Sequence, residues 1–178
     1  MILTDNEILK EIKKGTIVIK PFTKECLGCN SYDVHLGKYL AIYKSLELDA
    51  RKHNEVIHFE IPKEGYVLQP GRLYLGVTEE YTETHKHVPF LEGKSSVGRL
   101  GIQIHITAGK GDVGYSNTWT LEVTCLQPVR IYPGMPIGQL IYFETKGEVR
   151  TPYTKKKSAK YIEKVKTPTE SLMHKNSF

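Results

Sequence analysis

The amino-acid sequence predicts a mostly β domain, an antiparallel sandwich or barrel with a short N-terminal helix and a flexible C-terminal tail. Three observations carry that reading. Helical signals are confined to the stretch before Gly15, short β-prone runs separated by Gly, Pro and polar turns fill the middle, and beyond Thr145 the chain turns polar and Lys-rich.

The helix is expected first. Thr4 and Glu7 have capping-box spacing, Leu3 and Ile8 are placed to staple, Ile8, Leu9 and Ile12 share a face, and Gly15 can close the last turn. From Thr16 the β-rhythm begins with Ile17-Val18-Ile19, Tyr32 to Leu36, Val56 to Ile61 and Leu73 to Val77. It continues through Ile102 to Ile106, Trp119 to Val123 and Ile137 to Phe143, the last introduced by a Tyr132-Pro133-Gly134 turn. The tail after Thr145 shows no period until Leu172-Met173 and Phe178, so it is expected on the surface and mobile when free. No internal repeat or second domain is visible, and residues 1–178 read as one unit.

At 178 residues, with 39% hydrophobic and 25% charged residues, the composition is that of a globular protein, and no run approaches the ~20 apolar residues of a membrane span. The first residues lack a secretory signal, so a cytoplasmic location without membrane contact is expected. A net charge of +5, much of it in Lys155-Lys156-Lys157 and beyond, is modest and suits a phosphorylated small molecule without requiring nucleic acid. Three cysteines make no disulfide framework.

Several motifs dissolve on inspection. Cys26-Leu27-Gly28-Cys29 is half a zinc site without its other half, so incidental thiols are expected. His85 and His87 alternate in a polar neighbourhood and read as a solvated strand end. Gly93-Lys94-Ser95-Ser96 has the end of a phosphate-binding P-loop, but the earlier Gly is Val88 here. The local chemistry survives: Gly admits a ligand close to the backbone, Lys94 and Arg99 bring positive charge, and two serines donate to oxygens.

Order is more specific than any single piece. Gly93-Lys94-Ser95-Ser96-Val97-Gly98-Arg99-Leu100-Gly101 is followed by Thr107-Ala108-Gly109-Lys110-Gly111-Asp112-Val113-Gly114-Tyr115, then Thr120-Leu121-Glu122, then Gly134 to Leu140. Asn30-Ser31-Tyr32-Asp33-Val34-His35-Leu36-Gly37 precedes them, and Pro152-Tyr153 with Ala159-Lys160-Tyr161 follows. The series resembles that of the dCTP deaminases and the related trimeric dUTPases, over nearly the whole chain and most weakly between Ala41 and Gly71.

That resemblance implies a dUTPase-like β-barrel and metal-independent hydrolytic deamination of dCTP. The substrate's Mg²⁺ would ride on its triphosphate and no catalytic zinc would take part. Glu122, which dUTPases without deaminase activity lack, would shuttle protons to and from a water held near Ser95 and the Ala108 carbonyl, with Arg99 orienting it. The turn Lys94, Ser95, Ser96, Val97, Gly98 and Arg99 and the strand residues Thr120 and Leu121 would contact the nucleotide, and Asp112 would read the sugar. Gln139 would hold phosphates, joined by Tyr153 and Lys160 when residues 146–178 close over the site. Lys164, standing where the family commonly has Gln, is a further candidate contact. Family members are homotrimers with shared sites, so the same is expected here.

Two products are consistent with the family. Gly109 is the bifunctional pattern, releasing dUMP and pyrophosphate, while the charge of Lys110 matches single-function deaminases; the expectation from Lys110 is dUTP. A nucleotide-binding module without catalysis is the remaining alternative, which retention of Ser95, Arg99 and Glu122 argues against.

Overall fold

The computed structural model describes all residues, 1–178. Helix α1 (Asp5–Lys13) starts from Thr4 in extended conformation, whose side chain makes no capping bond, so the expected box does not form. The Ile8 N–H donates to the Thr4 carbonyl instead, and Gly15 at φ +72° closes the helix as expected. Leu3 and Ile8 are both buried in the core.

Twelve strands follow: β1 (Ile17–Lys20), β2 (Tyr32–Tyr43), β3 (Val56–Glu60), β4 (Tyr66–Leu68), β5 (Tyr74–Thr78), β6 (Tyr81–Thr84), β7 (Val88–Gly93), β8 (Ile102–Gln103), β9 (Ser116–Asn117), β10 (Thr120–Cys125), β11 (Val129–Ile131) and β12 (Pro136–Phe143). A one-turn helix α2 (Ser95–Gly98) separates β7 from β8. The main sheet runs β7-β12-β2-β5-β10-β8 with β3 also on β2, and smaller sheets β1-β6-β9 and β11-β4 complete a distorted antiparallel barrel. Register shifts on both sides of β2 supply the distortion.

Strand β5 is buried along its whole length, while β10 alternates, turning Leu121, Val123 and Cys125 inward and Thr120, Glu122 and Thr124 outward. The interior is one cluster in which Tyr32, Tyr74, Leu121, Leu140 and Tyr142 meet. Burying a side chain of that size is worth about 1.5–3 kcal/mol. No helix is long and apolar enough to cross a membrane.

Two further expectations are corrected. Residues His85 to His87 form a bend and the two imidazoles part: His85 is exposed beside Glu83, whereas His87 is buried with Nε2 3.1 Å from Glu11 Oε2. A buried carboxylate needs partners, and helix α1 carries Glu11 onto this bend. The run Ile102 to Ile106 is a strand only at Ile102–Gln103, after which Ile104 stays buried but Ile106 reaches the surface.

The tail is laid on the barrel by named contacts. Asn117 Nδ2 and Thr118 Oγ1 donate to the Glu163 and Val165 carbonyls, His58 meets the Pro168 carbonyl, and Leu172 is buried.

Candidate active site

Strand β12 organises the first half of the site. Its Gln139 stands opposite Asp33 of β2 on one side and Glu92 of β7 on the other, and Ser31 Oγ donates to Gln139 Oε1 at 3.4 Å. At the end of β7 the Lys94 ammonium contacts the Asp33 carboxylate. Buried Val97 fixes the α2 turn from beneath, leaving Ser95, Ser96, Gly98 and Arg99 exposed. Of the expected phosphate-binding residues, Gln139 therefore lies on β12, Lys94 follows the end of the neighbouring β7 and pairs with Asp33, and Ser95 and Ser96 open the α2 turn directly after it.

The second half surrounds Glu122. Antiparallel geometry puts its side chain outward, with the carboxylate 33% exposed. The backbone N–H of Glu122 donates to the Ile104 carbonyl, and the Ile106 N–H donates to Glu122 Oε2 at 3.3 Å. His105 places Nδ1 3.9 Å from the same oxygen while its Nε2 hydrogen-bonds the Leu91 carbonyl, which fixes the ring between them. Gly109 makes that possible, since a Cβ there would come 2.7 Å from the Leu91 carbonyl oxygen and 3.3 Å from the His105 ring. Ala108 sits on the exposed loop just before it. Leu121 is buried beneath Glu122, and Thr120 Oγ1 accepts the Thr169 N–H of the tail.

Arg99 and Ser95 do not join Glu122 within this chain. Arg99 is exposed and makes no ion pair, and the groups that meet the Glu122 carboxylate within this chain are the Ile106 N–H and His105.

Asp112 forms a third group. Lys110 Nζ donates to its Oδ1 at 2.7 Å, Lys156 Nζ lies 3.8 Å from Oδ2, and the Lys110 bond holds the carboxyl below the usual range. Tyr153 docks alongside, its N–H donating to the Val113 carbonyl and its ring 5.9 Å from Tyr115. Lys160 is half-buried and forms no ion pair, and Lys164 lies over the Tyr81 ring at 5.1 Å.

Sequence reasoning assigned no role to Asp33, His105 or Lys156. Asp33 lies inside the Ser-Tyr-Asp-Val stretch that carried the resemblance, so its signal was present. His105 occupies an outward position in an Ile-x-Ile alternation, and Lys156 stands in a lysine run without pattern.

Comparison with known proteins gives this geometry a lineage. A dCTP deaminase-like family model matches residues 2–145. The protein named "dCTP deaminase, dUMP-forming" of Clostridium botulinum (strain Alaska E43 / Type E3) is 51% identical over 148 residues, 83% of this chain and 85% of that one. The protein of the same name from Clostridium beijerinckii is 45% identical over 176 residues, 99% of this chain and 98% of that one. Among solved structures, 2'-deoxycytidine 5'-triphosphate deaminase from Agrobacterium tumefaciens aligns with TM-score 0.64 at 18% identity, over 81% of this chain and 48% of that one. The last likeness concerns the fold, and this chain spans about half of that protein's length. The family model and the near-full-length relatives agree on one lineage, and the chain belongs to the dCTP deaminase-like family.

Proposed function

We propose that the protein deaminates dCTP and goes on to release dUMP and pyrophosphate. The observation that carries the first step is the Glu122 carboxylate, one-third exposed at a strand surface and held by a single backbone donor and a nearby imidazole. Water adds at the ring carbon bearing the amino group, Glu122 takes one of its protons and passes it to the ring nitrogen, and the proton of the added hydroxyl is then carried to the amino group, so that the C–N bond breaks, ammonia leaves and the hydroxyl oxygen becomes the ring carbonyl. Such acid–base work is typically worth ~10²–10⁴ in rate.

The second step favours dUMP over the dUTP expected from Lys110. Lys110 hydrogen-bonds Asp112, so its charge is engaged within the chain and no longer argues for a single-function site. The same contact keeps Asp112 ionised, fit to align a water with the α-phosphorus. Relatives at 45–51% identity bear the dUMP-forming name.

Mg²⁺ would enter on the substrate's phosphates. One partly exposed carboxylate, Asp33, beside Lys94 suits a cation that keeps its waters and phosphate ligands, and no cluster of three His, Cys, Asp or Glu side chains offers an all-protein cage. The metal would neutralise phosphate charge while Lys94, Ser95, Ser96 and Gln139 hold the oxygens. Because Arg99 and Ser95 are not brought to Glu122 within one chain, a homotrimer with shared sites is part of the reading.

Chromatography of the products from dCTP, with dUTP as substrate in a parallel reaction, tests it. Ammonia and dUMP from dCTP are expected. Accumulation of dUTP would restore the single-function reading, and absence of ammonia would leave a nucleotide binder.

A further inference from the structure

A cavity of about 860 Å³ opens where the ends of β1 and β6, the middle of β2, the end of β5 and the tail meet. None of Lys94, Ser95, Asp112, Glu122 or Gln139 lines it; of the residues expected at the nucleotide site it takes in Lys164 alone, which here lies over Tyr81. Its ionic lining is one-sided: Lys20, Lys38, Lys164 and Lys166 against the single carboxylate of Glu79. Lys38 shares Glu60 at 3.5 Å and Lys164 lies over Tyr81, while Lys20 and Lys166 make no ion pair.

Four ammonium groups around one concavity repel each other, and a bound anion relieves that repulsion. Besides Thr78 and Thr118, the remaining side chains of the lining are apolar or aromatic. Leu36, Val77 and Pro133 are joined by Tyr39 and Tyr81, the latter's hydroxyl fixed by Glu83 and Ser116. The volume is in the range of small-molecule sites and far exceeds a lone phosphate. The wall supplied by the tail is also held: Thr118 Oγ1 donates to the Val165 carbonyl at 2.9 Å and Asn117 Nδ2 to the Glu163 carbonyl at 2.7 Å, setting Lys164 and Lys166 at the rim.

We infer that this cavity is a second binding site, for a phosphate ester carrying a flat ring, with the ring against the tyrosines and apolar floor and the phosphate among the lysines. Because its rim is part barrel and part tail, an occupant also ties the tail to the barrel.

Calorimetric titration of the full chain with AMP, ribose 5-phosphate and adenosine tests the inference. AMP binding is expected in the wild-type protein, with ribose 5-phosphate and adenosine each at least tenfold weaker. The double variant Lys20→Glu, Lys38→Glu should weaken AMP at least tenfold while ammonia release from dCTP stays within twofold, and Lys94→Ala should leave AMP binding unchanged. The milder pair Lys20→Ala, Lys38→Ala, with an unaltered melting curve, guards against misfolding. No AMP binding, equal binding by the charge-reversed variant, loss of binding in Lys94→Ala, or ribose 5-phosphate binding as tightly as AMP would each overturn it.

Discussion

Glu11 and Glu122 are both carboxylates on regular elements, one at the corner between α1 and the β6–β7 bend, the other on β10, and their surroundings differ in kind. Glu11 is buried and saturated: Lys14 Nζ at 2.7 Å, the Thr16 hydroxyl, and His87 Nε2 at 3.1 Å. The bonds from Lys14 and Thr16 outweigh burial and pull its pKa from 4.5 to about 2. Glu122 is one-third exposed, with one backbone donor at 3.3 Å and an imidazole at 3.9 Å. A carboxylate so fully bonded is locked in its ionised form and serves the fold; one with spare acceptor capacity has room for a water or a substrate group, as the role proposed for Glu122 requires.

The strongest way to break this comparison is Glu122→Gln. Loss of its carboxylate should lower ammonia release at least ~100-fold while nucleotide binding persists. The melting temperature should stay within a few degrees, because partly exposed substitutions away from buried networks typically cost under about 0.5 kcal/mol. Near-normal turnover in a folded variant would remove Glu122 from the chemistry.

Next in size is the tail, which sharpens the distinction between serving the fold and serving the reaction. Tyr153 and Lys156 lie beside Asp112, and Thr169 bonds Thr120, two residues before Glu122. Ending the chain before Pro152 should reduce kcat/KM for dCTP tenfold or more. The melting temperature should fall by only a few degrees, since Pro168 and Leu172 are the tail's few buried residues. Unchanged kinetics would mean that the docked segment is ornament to the barrel.

The complementary variant, Glu11→Gln, should reverse the pattern: activity per folded molecule retained, stability reduced by about 1.5–3 kcal/mol, the scale of hydrogen bonds to a charged group. Acid titration offers the same test without mutation. A carboxyl whose folded pKa lies below its unfolded value contributes stability that is complete above about 4.5 and lost as the pH falls toward about 2. Wild-type unfolding free energy should therefore drop through that window more steeply than that of Glu11→Gln. Parallel curves would deny Glu11 its structural role.

The contrast also explains what was legible in the sequence. Apolar alternation located β1, β3, β5, β10 and β12, and the Gly15 stop located the end of α1, because those signals are local. Short strands built from mixed residues, such as Tyr66–Leu68, Tyr81–Thr84 and Ser116–Asn117, exist only through their partners and carry no period of their own. The same holds for the site. Glu122 was legible through its motif, whereas the Glu11–His87 pair joins positions 76 residues apart, and His105 gains meaning only when β10 brings Glu122 beside it.

The smallest expected effect belongs to Cys26 and Cys29, which stand outside both carboxylate networks. Burial pushes the Cys26 thiol up, away from the thiolate that zinc requires. Cys29 is exposed, Cys125 is buried in the core cluster, and no third ligand gathers beside the pair. Cys26 does sit against Tyr32, which neighbours Asp33, so a role in shaping the phosphate half of the site is the one route by which it could matter. Replacing both with Ser, or stripping zinc while supplying Mg²⁺, should leave deamination within about twofold, because the acid–base role proposed for Glu122 asks nothing of a thiolate. Stoichiometric zinc in the purified protein, lost together with activity in the double variant, would instead make these thiols ligands and transfer water activation from Glu122 to a metal.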